Sequence, residues 1–268
     1  MIKNIKLFVN KNDKSINTAK LIKNKLTSNG FIINDNKYDL GIAIGGDGSF
    51  LRMVKQNNFN SDIYYVGVNL GHLGFLQEVK DTEIDNFIEE LKLEKYKIEE
   101  IGIQETIVSS KNYINHFPKF YSLNEIIVRD KDLKVLKLDI NIDKDLLEKF
   151  MGDGILISTS LGSTAHNLSY GGSIIYPTFS SLQITPMGPI NSKVYRTLFN
   201  SVIIPDKKEI TLIPENKKLI ITVDGVNKTY DDVDYITTKI DDKKIKCLRL
   251  SHYNFPEKIN DKLLTDNF

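Results

Sequence analysis

Ile42-Ala43-Ile44-Gly45-Gly46-Asp47-Gly48-Ser49-Phe50-Leu51 is the stretch on which the reading of this chain turns. An apolar strand, Leu40 to Ile44, runs into three glycines interrupted by one carboxylate, and an apolar helical start follows. Gly45, Gly46 and Gly48 allow a ligand to approach the backbone closely. The N–H groups opening the helix suit an anion such as a phosphate. Asp47 is at odds with a phosphate unless a metal ion lies between them, or unless the carboxylate takes a proton from a nucleophile. A tight turn with Asp47 as the helix cap explains the same residues with no ligand at all. These ten residues leave both readings open.

Outward from this turn, strand and helix alternate at short intervals. Ile5–Val9 reads as a buried strand and Ile16–Leu26 as a helix, with Ala19, Ile22 and Leu26 on one face. Phe31–Ile33 and Tyr64–Val68 read as further strands, a helix is expected from about Ser49 to Val54, and Ile84–Leu91 is amphipathic. Such alternation predicts a parallel α/β sheet. Its ligands are expected at the carboxyl ends of the strands, where Gly45–Ser49 lies. The glycine-rich stretch Asn69-Leu70-Gly71-His72-Leu73-Gly74-Phe75-Leu76 follows the fourth strand at that same end.

Near residue 97 the pattern changes. Gln104–Ser109, Tyr121–Val128, Val135–Ile142, Ile155–Ser158, Val202–Ile204, Ile210–Ile213 and Leu219–Val223 are short strand-like runs with little helix between them. Their spacing predicts a β-rich second domain, sheet on sheet. The expected division is an α/β domain over 1–98, a β-rich domain over 99–250, and a polar tail over 251–268 that packs back on the first domain or frays.

Composition narrows the function classes. Of 268 residues 26% are charged and 41% hydrophobic, as in an ordinary globular protein, and the net charge of +1 offers no basic field for nucleic acid or a membrane surface. No run of about 18 apolar residues is present to span a bilayer, and the first residues carry no signal-peptide core. The single cysteine, Cys247, lies in the apolar run Ile245–Leu250 and reads as a buried thiol. A reducing cytoplasm is the expected location. His72, His116, His166 and His252 show no metal-ligand spacing, which argues against a zinc enzyme.

Three further constellations bear chemistry. Asn124-Glu125 interrupts an apolar strand, and a carboxamide beside a carboxylate can read a base edge and a ribose hydroxyl; a strand end facing water is the plainer alternative. Met151-Gly152-Asp153-Gly154 again brackets a carboxylate with glycines, or is simply a turn. The run Ser158 to Gly172 carries hydroxyls, small residues and a helix start around Gly162-Ser163-Thr164, more than a Ser/Thr cap requires. Asp224-Gly225 reads as a hairpin turn. Neither the P-loop lysine pattern nor the three-glycine dinucleotide fingerprint is present, so phosphate charge is left to Mg²⁺ and helix N-termini, and hydride transfer drops out.

Taken together, Gly45-Gly46-Asp47-Gly48-Ser49, Asn69–Leu76, Asn124-Glu125 and Gly152-Asp153-Gly154 through Gly162-Ser163-Thr164-Ala165 to Gly171-Gly172 resemble the ATP-dependent NAD kinase family in order and spacing, over nearly the whole chain. The glycine-aspartate-glycine turn alone is shared with diacylglycerol, sphingosine and phosphofructo-kinases; the Asn69–Leu76 and Gly162–Gly172 stretches are the more specific. The resemblance implies a phosphofructokinase-like α/β domain, a β-sandwich domain, and transfer of the ATP γ-phosphoryl group to the 2′-hydroxyl of the adenosine ribose of NAD, making NADP. It implies ATP as donor, a divalent cation such as Mg²⁺, and a homodimer or homotetramer in which a neighbouring subunit completes the dinucleotide site.

Carried over by motif, Asp47 is the expected catalytic residue, with Gly48 beside the substrate and Gly45, Gly46, Gly48 and Ser49 at the donor phosphates. Asn124 and Glu125, with Thr164, Ala165 and Ser169, are expected around the adenosine half, Asp153 and Gly188 near the nicotinamide half, and His166, Asn167 and Leu168 also at the NAD. The chain departs from the family pattern at His166, where a tyrosine is usual, and at Met151, where a basic residue is common. A lipid or sugar kinase sharing the turn, and a dinucleotide-binding sensor without catalysis, are the rival readings.

Overall fold

A computed structural model describes residues 2–71, 74–111, 117–193 and 196–265. The chain forms two compact units, residues 1–101 with 244–268, and residues 102–243. His72, Leu73 and His116 lie outside the described residues.

In the first unit β1 (Asn4–Val9), α1 (Asp13–Ser28), β2 (Ile32–Ile33), β3 (Leu40–Ile44), α2 (Asp47–Gln56), β4 (Tyr64–Val68) and α3 (Ile84–Lys92) follow in order before β5 (Tyr96–Ser110). The sheet runs β2-β1-β3-β4, all parallel, with Leu7 opposite Ile42 and Ile42 opposite Val66. Every residue of β3 is buried, as a central strand covered on both faces requires. Asn12 caps α1 by accepting the Ser15 N–H at 2.8 Å. Ile22 and Leu26 of α1 join Phe87 and Leu91 of α3 and the β3 side chains in one apolar core.

The second unit continues with β6 (Lys119–Ser122), β7 (Glu125–Asp130), β8 (Leu136–Ile142), β9 (Asp145–Gly152) and β10 (Gly154–Thr159). A 3₁₀ turn (Leu161–Thr164) and the single helical turn α4 (His166–Ser169) come next. Then follow β11 (Ser181–Met187), β12 (Val202–Pro205), β13 (Ile210–Pro214), β14 (Leu219–Val223), β15 (Val226–Tyr230) and the start of β16 (Val233–Leu250). One antiparallel sheet has the order β12-β11-β10-β7-β14-β15. Opposite it β8 pairs with β9 and β13, and β13 with the first part of β16, again antiparallel. Apolar side chains from both sheets, among them Val128, Ile157, Ile184, Leu138, Phe150 and Leu212, share one core, which makes this unit a sandwich.

Several details differ from the sequence reading. Tyr121–Val128 is two strands, because the Leu123, Asn124 and Glu125 N–H groups donate to the Asp224 carboxylate at the break. β9, β11 and β15 have weak period-two patterns and were not expected from the sequence. The run Ile245–Leu250 ends an 18-residue strand whose last part belongs to the first unit, where Lys246 and Cys247 pair with Tyr64 and Tyr65 of β4. Cys247 is buried there, and burial pushes its thiol up to about 12. The polar tail contains α5 (Phe255–Ile259) and a further helical turn, with Phe255 and Lys258 buried.

The end of β16 brings a charged cluster into the first unit. Arg249, 4% exposed, donates from Nε to Glu99 Oε2 at 2.7 Å and from a terminal nitrogen to Glu78 Oε2 at 3.3 Å. Glu78 Oε1 also accepts the Leu250 N–H at 3.0 Å. Removing one member of a buried, hydrogen-bonded set leaves its partners charged and dry, at a cost of about 3–5 kcal/mol. Arg249→Met is therefore expected to lower unfolding free energy by about that much in urea denaturation; a loss below about 1 kcal/mol would show that the cluster is stabilised from elsewhere.

Candidate active site

In the first unit the glycine turn joins β3 to α2. Gly46 is the residue capping α2, and having no side chain it makes no side-chain cap hydrogen bond. The Asp47 carboxylate does not cap. It reaches 28 and 29 residues ahead, where Oδ2 accepts the Phe75 N–H at 2.9 Å and Oδ1 the Leu76 N–H at 3.0 Å. Gly74 permits this approach, since a Cβ there would lie 1.8 Å from Oδ1. Asp47 is half-buried, whereas Gly46 and Gly48 are exposed. A carboxylate has about four lone-pair directions, so two remain after these bonds. Arg52, one turn along α2, donates to Ser49 Oγ at 3.2 Å and to the Asn10 side chain, which sets a guanidinium beside the turn.

In the second unit Asn124 and Glu125 open β7. Asn124 Oδ1 and Glu125 Oε2 are buried and find no hydrogen-bond partner among the described residues. Such adjacent orphaned polar oxygens are costly in a folded chain and are what a ligand's polar groups would satisfy. The pair is held from behind by Asp224, which accepts the Asn124 N–H at 2.8 Å, and Thr159 N–H donates to Asn124 O at 2.8 Å. Gly162 packs on this backbone so closely that a Cβ would fall 2.1 Å from Asn124 O. Burial first, and the Asp224 charge second, push the Glu125 carboxyl up to about 8, so near neutrality it holds a proton it can donate.

The turn after β10 lies against the same pair. His166 Nδ1 is 3.8 Å from Glu125 Oε1, and the His166 ring is exposed. Thr164, Ala165 and Leu168 are half-buried, and Ser169 is exposed. Asn167 is different: its amide donates to Ser163 O and Gln183 Oε1, and its Oδ1 accepts from Thr185 at 2.6 Å. Its side chain is wholly engaged inside the unit and locks the turn's shape. Ser163 is likewise buried and exchanges hydrogen bonds with the Ile175 backbone. Asp153 and Gly188 adjoin each other. Asp153 N–H donates to Met187 O at 2.9 Å, and a Cβ at Gly188 would fall 2.3 Å from Asp153 Oδ2.

Within each unit, then, the expected residues come together: Gly45–Ser49 in the first, and Asn124-Glu125 with the Thr164–Ser169 turn, and Asp153 with Gly188, in the second. What sequence reasoning missed is Asp224, read only as a turn, and the amides of Phe75 and Leu76. An aspartate before glycine was the only local signal for the first, and it names no partner a hundred residues away.

These features can be set beside known proteins. Residues 5–96 match the ATP-NAD kinase N-terminal domain and residues 123–246 the ATP-NAD kinase C-terminal domain. An NAD kinase of Finegoldia magna is 43% identical over 255 residues, 91% of this chain and 92% of its own. One of Streptococcus gordonii is 34% identical over 98% of this chain and 96% of its own. The chain belongs to the ATP-NAD kinase family. Two solved structures share the fold: a yeast NADH kinase complexed with NADH, with TM-score 0.85 and 21% identity over 100% of this chain and 89% of its own, and an Archaeoglobus fulgidus NAD kinase in complex with ATP, with TM-score 0.74 and 18% identity over 97% of this chain and 98% of its own.

The raised Glu125 carboxyl carries a pH signature. Its folded value of about 8 lies above the ordinary 4.5. The unfolded chain thus loses this proton first, and the group's contribution is intact below about pH 4.5 and is lost as pH rises toward 8. Glu125→Gln removes the ionisation. Between pH 5 and 8 the variant is expected to gain on the wild type by on the order of a few kcal/mol in urea denaturation. Identical pH slopes for the two proteins would refute the buried carboxyl.

Proposed function

We propose that this chain is an NAD kinase, which moves the γ-phosphoryl group of ATP to the 2′-hydroxyl of the adenosine ribose of NAD and releases ADP and NADP. The observation that carries the reading is Asp47, a carboxylate at a helix start that is spent on no cap and is fixed by two backbone N–H groups. In the reaction the ribose oxygen forms a bond to the γ-phosphorus while the bond from that phosphorus to the β,γ-bridging oxygen breaks, and ADP leaves with the electron pair. Asp47 accepts the hydroxyl proton on a free lone pair. An aspartate is a weak base, so the proton moves late, as the phosphoryl arrives. Positioning and charge then do most of the work.

The helix start at Gly46–Ser49 receives donor phosphate oxygens, with the Arg52 guanidinium beside it. Asn124 Oδ1 and Glu125 take up adenosine donors and hydroxyls, supported by Thr164, Ala165, His166 and Ser169, while Asn167 and Leu168 shape the turn. Asp153 and Gly188 serve the nicotinamide half. Among the described residues no three of His, Cys, Asp and Glu gather as a metal cage. Asp47 is the carboxylate of this turn that would hold a Mg²⁺ arriving with the donor phosphates, and the ion would supply charge neutralisation there. The working form is a homodimer or homotetramer in the cytoplasm. No helix among the described residues is long and apolar enough to cross a membrane.

The test is direct. Purified protein with ATP, Mg²⁺ and NAD is expected to form NADP, and Asp47→Asn to lose about 10²-fold or more in kcat with KM for NAD little changed. Tight NAD binding without NADP formation would leave a sensor; turnover of a diacylglycerol instead of NAD would make it a lipid kinase. Near-full turnover by Asp47→Asn would remove the role given to that carboxylate.

A further inference from the structure

Asp47 owes its placement to the segment Gly74–Glu78, and that segment is gripped on its other side by the C-terminal tail. Lys258 of α5 is 7% exposed, and its Nζ donates to Gln77 O at 2.7 Å and to Glu78 Oε2 at 3.1 Å. Two residues upstream of Gln77 and Glu78, Phe75 and Leu76 give their N–H groups to Asp47. The ammonium sits under the Tyr253 ring, 4.7 Å from its centre, and shares Glu78 with Arg249. A second tail residue, Lys262, stands 4.8 Å from the centre of the Phe75 ring. Lys80 and Asp261 pair at 3.8 Å across the same line.

We propose that Lys258 is a positioning residue for Asp47, fixing the segment Gly74–Glu78 so that the Phe75 and Leu76 amides hold the carboxylate in place. A buried ammonium is costly, and the alternative of a purely stabilising role is open to any apolar side chain of that length. What a methyl-ended chain cannot do is hold a backbone carbonyl at 2.7 Å. Burial pulls the Lys258 ammonium down, the Glu78 charge opposes this, and the Arg249 charge adds to the lowering. Gln77 O is thus anchored by a charge-assisted bond one residue beyond the Leu76 amide. Displacements of about 1 Å in a reacting group are worth on the order of 10²-fold in rate. The inference rests on the reading of Asp47 as proton acceptor.

The experiment combines Lys258→Met and Lys262→Ala with wild-type and Asp47→Asn backgrounds, each variant first checked for folding by circular dichroism. Lys258→Met retains the stem that packs on Tyr253 and removes only the donors and the charge. It is expected to lower kcat about 10- to 100-fold, with KM for NAD and ATP changed less than about threefold. In the Asp47→Asn background the same change should cost less than about twofold more, because residues acting as one unit are not additive. A kcat within twofold of wild type, or an equal fold-loss in both backgrounds, overturns the proposal. Should Lys258→Met not fold, Lys262→Ala at the half-exposed end of the grip decides: a loss of about threefold or more confined to the Asp47 background supports it, and unchanged kcat overturns it. Full turnover by Asp47→Asn alone would instead sink the reading of Asp47. An inactive Asp47→Asn beside a fully active Lys258→Met would sink only the positioning role.

Discussion

A backbone N–H that leaves a sheet or helix must find another acceptor, and this chain repeatedly supplies one from an aspartate or glutamate far away in sequence. Asp47 takes the Phe75 and Leu76 amides, and Asp224 those of Leu123, Asn124 and Glu125. Glu78 takes that of Leu250, Glu90 that of Ser251, and Asp39 those of Lys3 and Asn4. The amides of Leu123–Glu125, Leu250–Ser251 and Lys3–Asn4 lie where a strand begins or ends, and those of Phe75 and Leu76 lie in an irregular segment. Binding and catalytic groups sit on irregular segments, so the same bonds set their positions. Charge-assisted bonds of this kind are about twice as strong as neutral ones, which lets a loop hold one shape without a ladder.

The clusters in the two units use this device in opposite ways. Around Asp47 the clamping carboxylate is itself the group assigned the chemistry, and its geometry is inherited from the amides it accepts. Around Asn124 and Glu125 the clamp, Asp224, stays behind the strand and turns the pair forward with unpartnered oxygens. That arrangement buries the Glu125 carboxyl beside the Asp224 charge, and burial first, with that charge second, keeps a proton on Glu125. The turn Leu161–Ser169 gains its shape from Asn167, whose side chain bonds those of Gln183 and Thr185 and the Ser163 carbonyl, and from the Ser163 hydroxyl, which bonds the Ile175 backbone, in place of a longer helix.

Buried polar groups also explain why the tail matters. A polar C-terminal segment has little apolar area with which to dock, yet Lys258 and Phe255 are buried in it. Its ammonium is matched by Glu78, and Glu78 by Arg249, which Glu99 shares. The set balances two positive against two negative side chains. A buried set of this kind contributes less to stability than to fixing one arrangement of the segments it joins.

The sequence by itself determined the α/β beginning, the β-rich continuation, the glycine turn with its carboxylate, and the Asn124-Glu125 and Gly162–Gly172 stretches. All are local: apolar periodicity, glycine punctuation and short motifs lie within a few residues, where spacing alone constrains the backbone. Tertiary structure alone decided that Asp47 does not cap its helix, that Asp224 splits the expected strand Tyr121–Val128, and that Asn167 turns inward. It also decided that the strand Ile245–Leu250 joins the first unit through Tyr64 and Tyr65. The physical reason is range. A carboxylate's donors can lie 28 or 100 residues distant, and no pattern in the residues beside it says which amides the fold will bring within 3 Å.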